Sequence, residues 1–265
     1  MKRILFSLLL FVVLSSNADN NILVIQSTTS TRDSGLYEYL LPHYSRFESL
    51  SIKVVAVGTG QAIRNAKNCD ADLLIVHDYQ REKEFMLSGF GIKRHSLMYN
   101  DYIIVGPKKD PFEISRQKSP QDVFAIIHSN NLKFISRSDS SGTHNAEMRI
   151  WSSAGLDPLE SSGKWYIETG QGMGPSLNIA LGTNSYIFTD RASWIKYKNK
   201  QNHQVLYENP SELMNPYGVI LINPAKCPKS NKTEALMLYN WLSSDVAKSL
   251  INDYEIHGNK LFYTY

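Results

Sequence analysis

An alternation of short apolar runs and amphipathic segments, separated by polar turns, constrains the fold of this chain more than any other feature of its sequence. From residue 22 onward the pattern predicts strands at 22–26, 52–57 and 72–76 and helices at 31–47, within 58–68 and at 80–88. A strand that returns through a helix to a neighbouring strand builds a parallel sheet covered by helices. We therefore predict the α/β class.

A second series of the same kind follows a β-rich run at residues 102–105. It predicts helices near 120–130, 141–154 and 172–181, strands at 134–136, 186–189 and 217–223, and a helical C-terminus at 233–250. Two α/β units joined near residues 100 and 210 fit this order better than one long sheet.

The first 18 residues have the features of a cleaved secretory signal. Lys2 and Arg3 form a basic start, residues 4–14 are apolar but too few to span a bilayer, and Ser16 and Ala18 are the small residues that a signal peptidase reads. We expect a mature chain that begins at Asp19 and is exported to the periplasm.

Charge and cysteine content exclude several classes of protein. Loss of the two basic residues of the signal lowers the formal net charge from +3 to +1, which does not suggest nucleic acid or anionic lipid as a partner. Cys69 and Cys227 are the only cysteines, so a disulfide-dense scaffold is excluded, and either one bond or two buried thiols remain open. No paired-cysteine or His-Glu-x-x-His motif is present, and we expect no bound metal cation and no cofactor.

Four predicted strand-to-helix turns carry many hydrogen-bond donors and little negative charge. They are STTSTRDSG at 27–35, GTGQ at 58–61, SRSDSSGTH at 136–144 and TGQGMG at 169–174. Each turn alone is typical of a capped helix. Ligands of α/β sheets bind where strands end and helices begin, because helix starts present unpaired N–H groups. Hydroxyls and an arginine add charge-assisted donors, so the four turns together predict a site for a small, desolvated oxyanion.

Six stretches, in order along the chain, resemble the periplasmic tungstate-binding proteins of ABC importers: TTSTRDSGL, VVAVGTGQA, YNDYIIVGP, SRSDSSGTH, WYIETGQGMG and FTDR. The resemblance implies a two-lobed, type II-like periplasmic binding protein. Each lobe is then a mostly parallel sheet flanked by helices, and two crossing strands join the lobes. We expect one lobe at 19–100 and 211–265, the other at 101–210, and the hinge near 99–102 and 215–217. An ABC permease in the inner membrane is the implied partner, and we expect a monomer without enzymatic activity.

The resemblance also carries over site residues. The hydroxyl motif of the family falls on Ser27, Thr28, Thr29 and Ser30, and its arginine and Ser-Gly-Thr motif falls on Arg137, Ser141, Gly142 and Thr143. The other two turns add Thr59, Gly60, Gln171, Gly172 and Met173. Three positions depart from the family, which leaves selectivity among oxyanions open: Ser27 stands for a threonine, Ser138 for a glycine and Ser140 for an aspartate.

Four further residues have two readings each. Arg191 is either a second anion ligand or the partner of a nearby carboxylate. Asp78 is either a helix N-cap, which we favour, or an acceptor for the proton that phosphate keeps near neutral pH. His77 and His144 are predicted as packed or supporting histidines rather than as metal ligands. Because the stretches GQGMG, GTGQA and TDR resemble the tungstate-binding family, tungstate ranks first as ligand, molybdate close behind, and phosphate or sulfate third.

An enzyme is the alternative of a different class. A secreted phosphoester hydrolase would use Ser141 as nucleophile with His144, but no G-x-S-x-G motif is present. Two residues three positions apart on one helix also lack the geometry of a catalytic triad. A ligand-sensing receptor module is a third possibility, and such a module normally carries a tether or an output domain.

Overall fold

The structure of this chain is a computed structural model that describes residues 22–265. The predicted signal at 1–18 and the predicted mature start at Asp19 lie outside the described residues. The strands are β1 (Ile22–Thr28), β2 (Ser51–Val57), β3 (Leu73–Val76), β4 (Gly91–Pro107), β5 (Phe134–Ser136), β6 (Tyr166–Glu168), β7 (Tyr186–Asp190), β8 (His203–Glu208), β9 (Met214–Ile222), β10 (Glu255–Ile256) and β11 (Asn259–Lys260).

The α-helices lie between these strands and at the C-terminal end. They are α1 (Thr29–Asp33), α2 (Leu36–Leu40), α3 (Thr59–Lys67), α4 (Tyr79–Leu87), α5 (Pro120–Ser129), α6 (Gly142–Ser153), α7 (Met173–Gly182), α8 (Arg191–Lys196), α9 (Lys232–Leu242) and α10 (Asp245–Asp253). Short 3-10 helices occupy Leu41–His43, Phe47–Ser49, Ile114–Arg116 and Pro158–Ser161.

Nine strands pair in the order β2-β1-β3-β9-β4-β7-β5-β6, with β8 beside β4. Strand β1 pairs in parallel with β2 and β3, and β5 pairs in parallel with β6 and β7. Every pair made by β4 or β9 is antiparallel. The α/β fold is therefore confirmed. The antiparallel pairs of the nine-stranded sheet all include β4 or β9, the two long strands that connect its halves, and the separate hairpin β10–β11 is also antiparallel.

Strand β4 passes from one hydrophobic core to another. Its Leu97 and Met98 pack in a core with β1, β3 and β9, whereas Tyr102 and Ile104 pack in a core with residues of α5 and α6. We call the part around β1–β3 and β9 the first lobe and the part around β5–β8 the second lobe. Strand β9 runs beside β4 at the crossing, where Asn100 lies opposite Asn215, so both predicted hinge segments lie next to each other.

Two segments predicted as single helices are divided. The predicted helix at 31–47 is interrupted at Gly35, whose φ of +82° is a left-handed conformation that ends a helix. Pro42, which has no backbone N–H, then falls in a 3-10 turn. The predicted C-terminal helix at 233–250 restarts at Ser244, whose side chain accepts a hydrogen bond from the N–H of Ala247.

Residues 22–265 lack two features that would point to other functions. No helix there is long and apolar enough to cross a membrane. The same residues contain no group of three or more His, Cys, Asp or Glu side chains that is suited to hold a metal ion.

Cys69 and Cys227 form a disulfide bond. Cys69 follows α3, and Cys227 follows β9, so the bond joins two parts of the first lobe that lie 158 residues apart in sequence. The sequence is equally compatible with one disulfide bond and with two buried free thiols, and the structure shows the disulfide bond.

Loss of this disulfide is expected to lower the free energy of unfolding by about 2–4 kcal/mol, because the bond restricts a long loop of the unfolded chain. Urea denaturation with and without reductant measures the effect. The double variant Cys69→Ala, Cys227→Ala should match the reduced protein and should not respond to reductant. An unchanged midpoint after verified reduction would contradict the prediction.

Candidate functional site

The hydroxyl side chains of the turn at residues 27–30 lie in two different environments. Ser27 is fully buried and donates its hydroxyl hydrogen to the carbonyl oxygen of Ile75 at 3.0 Å, so the bond with the Tyr37 hydroxyl uses the Tyr37 hydrogen. The structure therefore places the Ser27 hydroxyl inside the first lobe. Thr28 and Ser30 are also buried, but their hydroxyl oxygens lie 3.2 Å apart at the beginning of α1.

Arg137 follows β5 and is only 4% exposed. Its Nε donates to Asp139 Oδ2 at 3.2 Å, and its Nη2 donates to the same oxygen. The second oxygen of Asp139 accepts from the N–H of Ser141 at 3.2 Å. Within residues 22–265, Arg137 Nη1 makes no hydrogen bond. Asp139 therefore orients the guanidinium by binding its Nε and Nη2, while the hydrogens of Nη1 remain available to another acceptor.

Helix α6 begins in the same turn. Ser141 is its N-cap, and the Ser141 hydroxyl accepts from the N–H of His144 at 3.1 Å. Thr143 is 1% exposed, and its Oγ1 has no hydrogen-bond partner within residues 22–265. A buried hydroxyl without a partner costs about 1–3 kcal/mol. Because α6 has twelve residues, its aligned peptides also place a partial positive charge at this end.

Two of the predicted turns touch directly. Thr59, at the start of α3, accepts a hydrogen bond from the N–H of Gly142 at 3.2 Å. The N–H of Gly60 donates to the carbonyl oxygen of Ser140 at 3.4 Å. The turn after β2 in the first lobe therefore lies against the turn after β5 in the second lobe, and three of the predicted site residues, Thr59, Gly60 and Gly142, meet there beside Ser140.

Ser138 and Ser140, two of the departures noted in the sequence, both have left-handed backbone conformations, with φ of +47° and +56°. Glycine adopts this region without strain, and aspartate adopts it more readily than most residues do. The Ser138 hydroxyl donates to Glu168 Oε1 at 2.7 Å, a contact that holds the turn in place.

His77 lies between the two turns. Its Nε2 is 3.3 Å from the Ser30 hydroxyl oxygen, and its Nδ1 is 2.9 Å from Asn215 Oδ1. A Cβ placed on Gly142 would lie 2.8 Å from its Cε1. The imidazole therefore contacts both the first lobe and the start of α6. We call Thr28, Ser30, His77, Arg137 and Thr143 the polar cluster.

Asp78 is the N-cap of α4, where it accepts from the N–H of Arg81 at 3.4 Å. Its other oxygen accepts from Asn145 Nδ2 at 2.8 Å, and Arg81 Nη1 donates to the carbonyl oxygen of Ser140 at 3.1 Å. The carboxylate of Asp78 is thus engaged in capping and in a contact between the lobes.

The fourth predicted turn lies farther along the same boundary. Gln171 is exposed, Gly172 is the N-cap of α7, and Met173 is buried in the second lobe. Met173 also lines a cavity of about 200 Å³ together with Thr29 and Ser30. The structure therefore brings Met173 opposite the first turn, whereas the side chain of Gln171 lies in solvent.

Arg191 is not brought to the polar cluster. Its guanidinium forms a two-bond ion pair with Asp101, at 2.7 and 2.6 Å, and a further bond of 2.5 Å with Glu208. These carboxylates raise the pKa of Arg191 above its usual value. Arg191 lines a separate cavity near the C-terminal hairpin β10–β11, so of its two readings the structure shows the carboxylate partner.

Two residues of the site have only weak signals in the sequence. His77 is predicted only as a packed or supporting histidine, although it directly follows β3, at the strand end where ligands of α/β sheets bind. Asp139 was not singled out, although it lies two residues after Arg137. His144, in contrast, is half-buried, and its Nδ1 lies 3.2 Å from the Ser136 hydroxyl oxygen.

The chain is similar to known proteins over most of its length. Residues 15–246 match the family described as a PBP superfamily domain. The chain is 40% identical over 245 residues to the tungstate-binding protein TupA of Peptoclostridium acidaminophilum, covering 91% of this chain and 84% of the relative. It is also 40% identical to the tungstate-binding protein TupA of Campylobacter jejuni, covering 88% and 87%. A solved structure of the tungstate ABC transporter from Geobacter sulfurreducens is similar with a TM-score of 0.79 and 39% identity, covering 88% of this chain and 98% of that chain.

Proposed function

We propose, on the premise that this chain belongs to the tungstate-binding proteins within the PBP superfamily, that it binds a tetrahedral oxyanion between its lobes. Tungstate is the first candidate and molybdate the second. The bound anion is delivered to an ABC permease.

One observation supports this proposal above the others: the buried Thr143 hydroxyl has no partner within the described chain, at the start of a helix whose turn also holds the buried Arg137. An anion oxygen is the acceptor that such a donor needs. Charge-assisted hydrogen bonds contribute about 1.5–3 kcal/mol each, so a few from Arg137, Thr143 and the hydroxyls of the first turn account for tight binding.

The carboxylates near the polar cluster favour a fully deprotonated anion. Hydrogen phosphate keeps a proton and needs an acceptor. Asp78 already accepts from Asn145 and from the N–H of Arg81, and Asp139 accepts from Arg137 and Ser141. Asp190, the third carboxylate near the cluster, accepts from the N–H and the hydroxyl of Ser193. All three carboxylates are thus satisfied by donors of the chain. Tungstate and molybdate carry no proton near neutral pH and require only donors.

We also propose where the protein acts and in what form. The chain acts in the periplasm as a monomer, its two lobes divide near residues 100 and 210, and it needs no cofactor. Support comes from the relatives, which are solute-binding proteins, and from the signal-like residues 1–18 of the sequence. No chemical step is part of this function.

Calorimetric titration of the ligand-stripped protein with tungstate, molybdate, sulfate and phosphate tests the proposal. We expect tight binding of tungstate, similar binding of molybdate, weaker binding of sulfate and the weakest of phosphate. Phosphate binding alone would overturn the choice of anion, and no binding of any of the four would overturn the site.

A further inference from the structure

His77 connects the polar cluster to the two crossing strands. The imidazole is 3% exposed and stacks on the ring of Tyr217 in β9, with 4.8 Å between the centroids. Its Nδ1 faces Asn215 in β9 at 2.9 Å and Tyr102 in β4 at 3.2 Å. The opposite nitrogen, Nε2, faces the Ser30 hydroxyl at 3.3 Å.

The hydrogen bonds of Asn215 determine which nitrogen of His77 carries the proton. Asn215 Nδ2 donates to Asn100 Oδ1 at 2.7 Å and to the Tyr217 hydroxyl oxygen at 3.1 Å. Both amide hydrogens are therefore committed, and the amide oxygen accepts from His77 Nδ1. A neutral imidazole with its hydrogen on Nδ1 presents a lone pair at Nε2.

That lone pair faces Ser30 and limits what Ser30 can do. A serine hydroxyl has one hydrogen. With a lone pair at Nε2, the 3.3 Å contact requires this hydrogen to point to His77. The Ser30 oxygen then presents lone pairs toward the rest of the polar cluster. Such an arrangement repels an anion that carries no proton of its own.

We infer that binding of the anion is coupled to the uptake of one proton from solvent by His77 Nε2. The new N–H donates to the Ser30 oxygen, which frees the Ser30 hydrogen to bind an anion oxygen. No covalent bond other than N–H forms. His77 is thus a positioning residue that acts through Ser30, and this inference rests on the proposed function because it requires a bound oxyanion.

The charges around His77 determine the direction of the effect. Burial lowers the pKa of His77, so the unliganded imidazole is neutral near neutral pH. The titratable and charged groups that face it are Asp190, Arg137, Asp78, Tyr102 and Tyr217. The two aspartates raise this pKa, and Arg137 lowers it. A bound dianion adds negative charge and raises it further. Affinity is therefore greatest at low pH and falls as pH rises through the pKa of His77 in the complex.

Titration with sodium tungstate, in buffers that differ in ionisation enthalpy, measures the protons taken up for each anion bound. We expect about one for the unmodified protein, and a fall in affinity of up to about tenfold for each pH unit. His77→Gln keeps a hydrogen-bonding group near the Nε2 position, and His77→Asn keeps one near Nδ1. Both variants are expected to take up no proton and to bind about tenfold to a hundredfold more weakly, with an affinity that is independent of pH.

His203→Gln is the matched control. His203 is also a buried histidine, but it contacts the carbonyl oxygen of Ser185 in the second lobe and should leave proton uptake unchanged. Proton uptake that persists in both His77 variants would overturn the inference and would point to Glu82, whose pKa is raised by burial to about 7. Tungstate binding by the unmodified protein without proton uptake would also overturn the inference. In that case the side-chain amide of Asn215 is rotated by half a turn, so that its nitrogen faces His77 Nδ1. The imidazole hydrogen of His77 is then already on Nε2 before the anion binds. Absence of tungstate binding would instead refute the proposed function.

Discussion

Replacement of Arg137 by alanine is expected to weaken tungstate binding by about a hundredfold to ten-thousandfold, because it removes two charge-assisted hydrogen bonds to the anion. Arg137 is nearly fully buried, and its Nη1 makes no hydrogen bond within residues 22–265. The substitution also leaves the Asp139 carboxylate without its cation, and this uncompensated charge repels an anion. Calorimetric titration with tungstate measures the change.

Three further variants give this prediction its controls. Arg116→Ala makes the same chemical change at an exposed ion pair of the second lobe and should bind normally. Arg137→Lys keeps the charge but not the planar fork, so its affinity should fall between those of the unmodified protein and the alanine variant. Asp139→Asn in the Arg137→Ala background should recover part of the loss. Normal affinity in a folded Arg137→Ala protein would show that the anion binds elsewhere.

Replacement of Gly142 by alanine is expected to weaken tungstate binding by at least about a hundredfold, because the substitution blocks the contact between the lobes. The new Cβ would lie 2.8 Å from the carbonyl oxygen of His77, closer than such atoms approach in proteins. His77 belongs to the first lobe and Gly142 to the second, so separation of the lobes relieves the clash. Titration should show the lost affinity, while the melting temperature of the unliganded protein should change little.

Gly182→Ala is the matched control, because a Cβ on Gly182 meets nothing within 4 Å. Small-angle X-ray scattering adds an independent measurement: tungstate should reduce the radius of gyration of the control but not of Gly142→Ala. If the Gly142→Ala protein binds tungstate normally, the contact between His77 and Gly142 is not part of the bound state.

Strand β4 illustrates what the sequence predicts well and what it does not. The run at 102–105 is apolar because all four residues are buried in the second lobe, and it was predicted as a strand. The preceding residues 91–101 belong to the same strand, but charged and polar side chains interrupt the pattern there since several of them are half-exposed. An apolar run identifies a strand that is buried on both faces, and a strand crossing between two cores has no such uniform pattern.

The site shows a similar limit. The turns were predicted from donor-rich residues at strand ends, and the contacts between Thr59 and Gly142 and between Gly60 and Ser140 bring two of them together. Composition does not reveal the partner of a particular hydroxyl or guanidinium. Ser27 bonds to Ile75, 48 residues away, and Arg191 bonds to Asp101, 90 residues away. Such partners depend on the packing of distant segments, which no local motif contains.

The importance of His77 depends on a longer chain of contacts. Its tautomer follows from Asn215, whose amide is in turn fixed by Asn100 and Tyr217. These residues come from three strands or strand ends that are far apart in sequence. A lone histidine after a buried strand gives no indication of such a network.

The Cys69–Cys227 bond affects how the protein responds to proteases. All of β4 to β9 lies between these two cysteines, so the second lobe is a loop of chain closed at its base. One cut in an exposed connection of that lobe, such as the segment 198–202 before β8, leaves two fragments that are still covalently joined. We expect a nicked protein to migrate as one species on a non-reducing gel and as two after reduction.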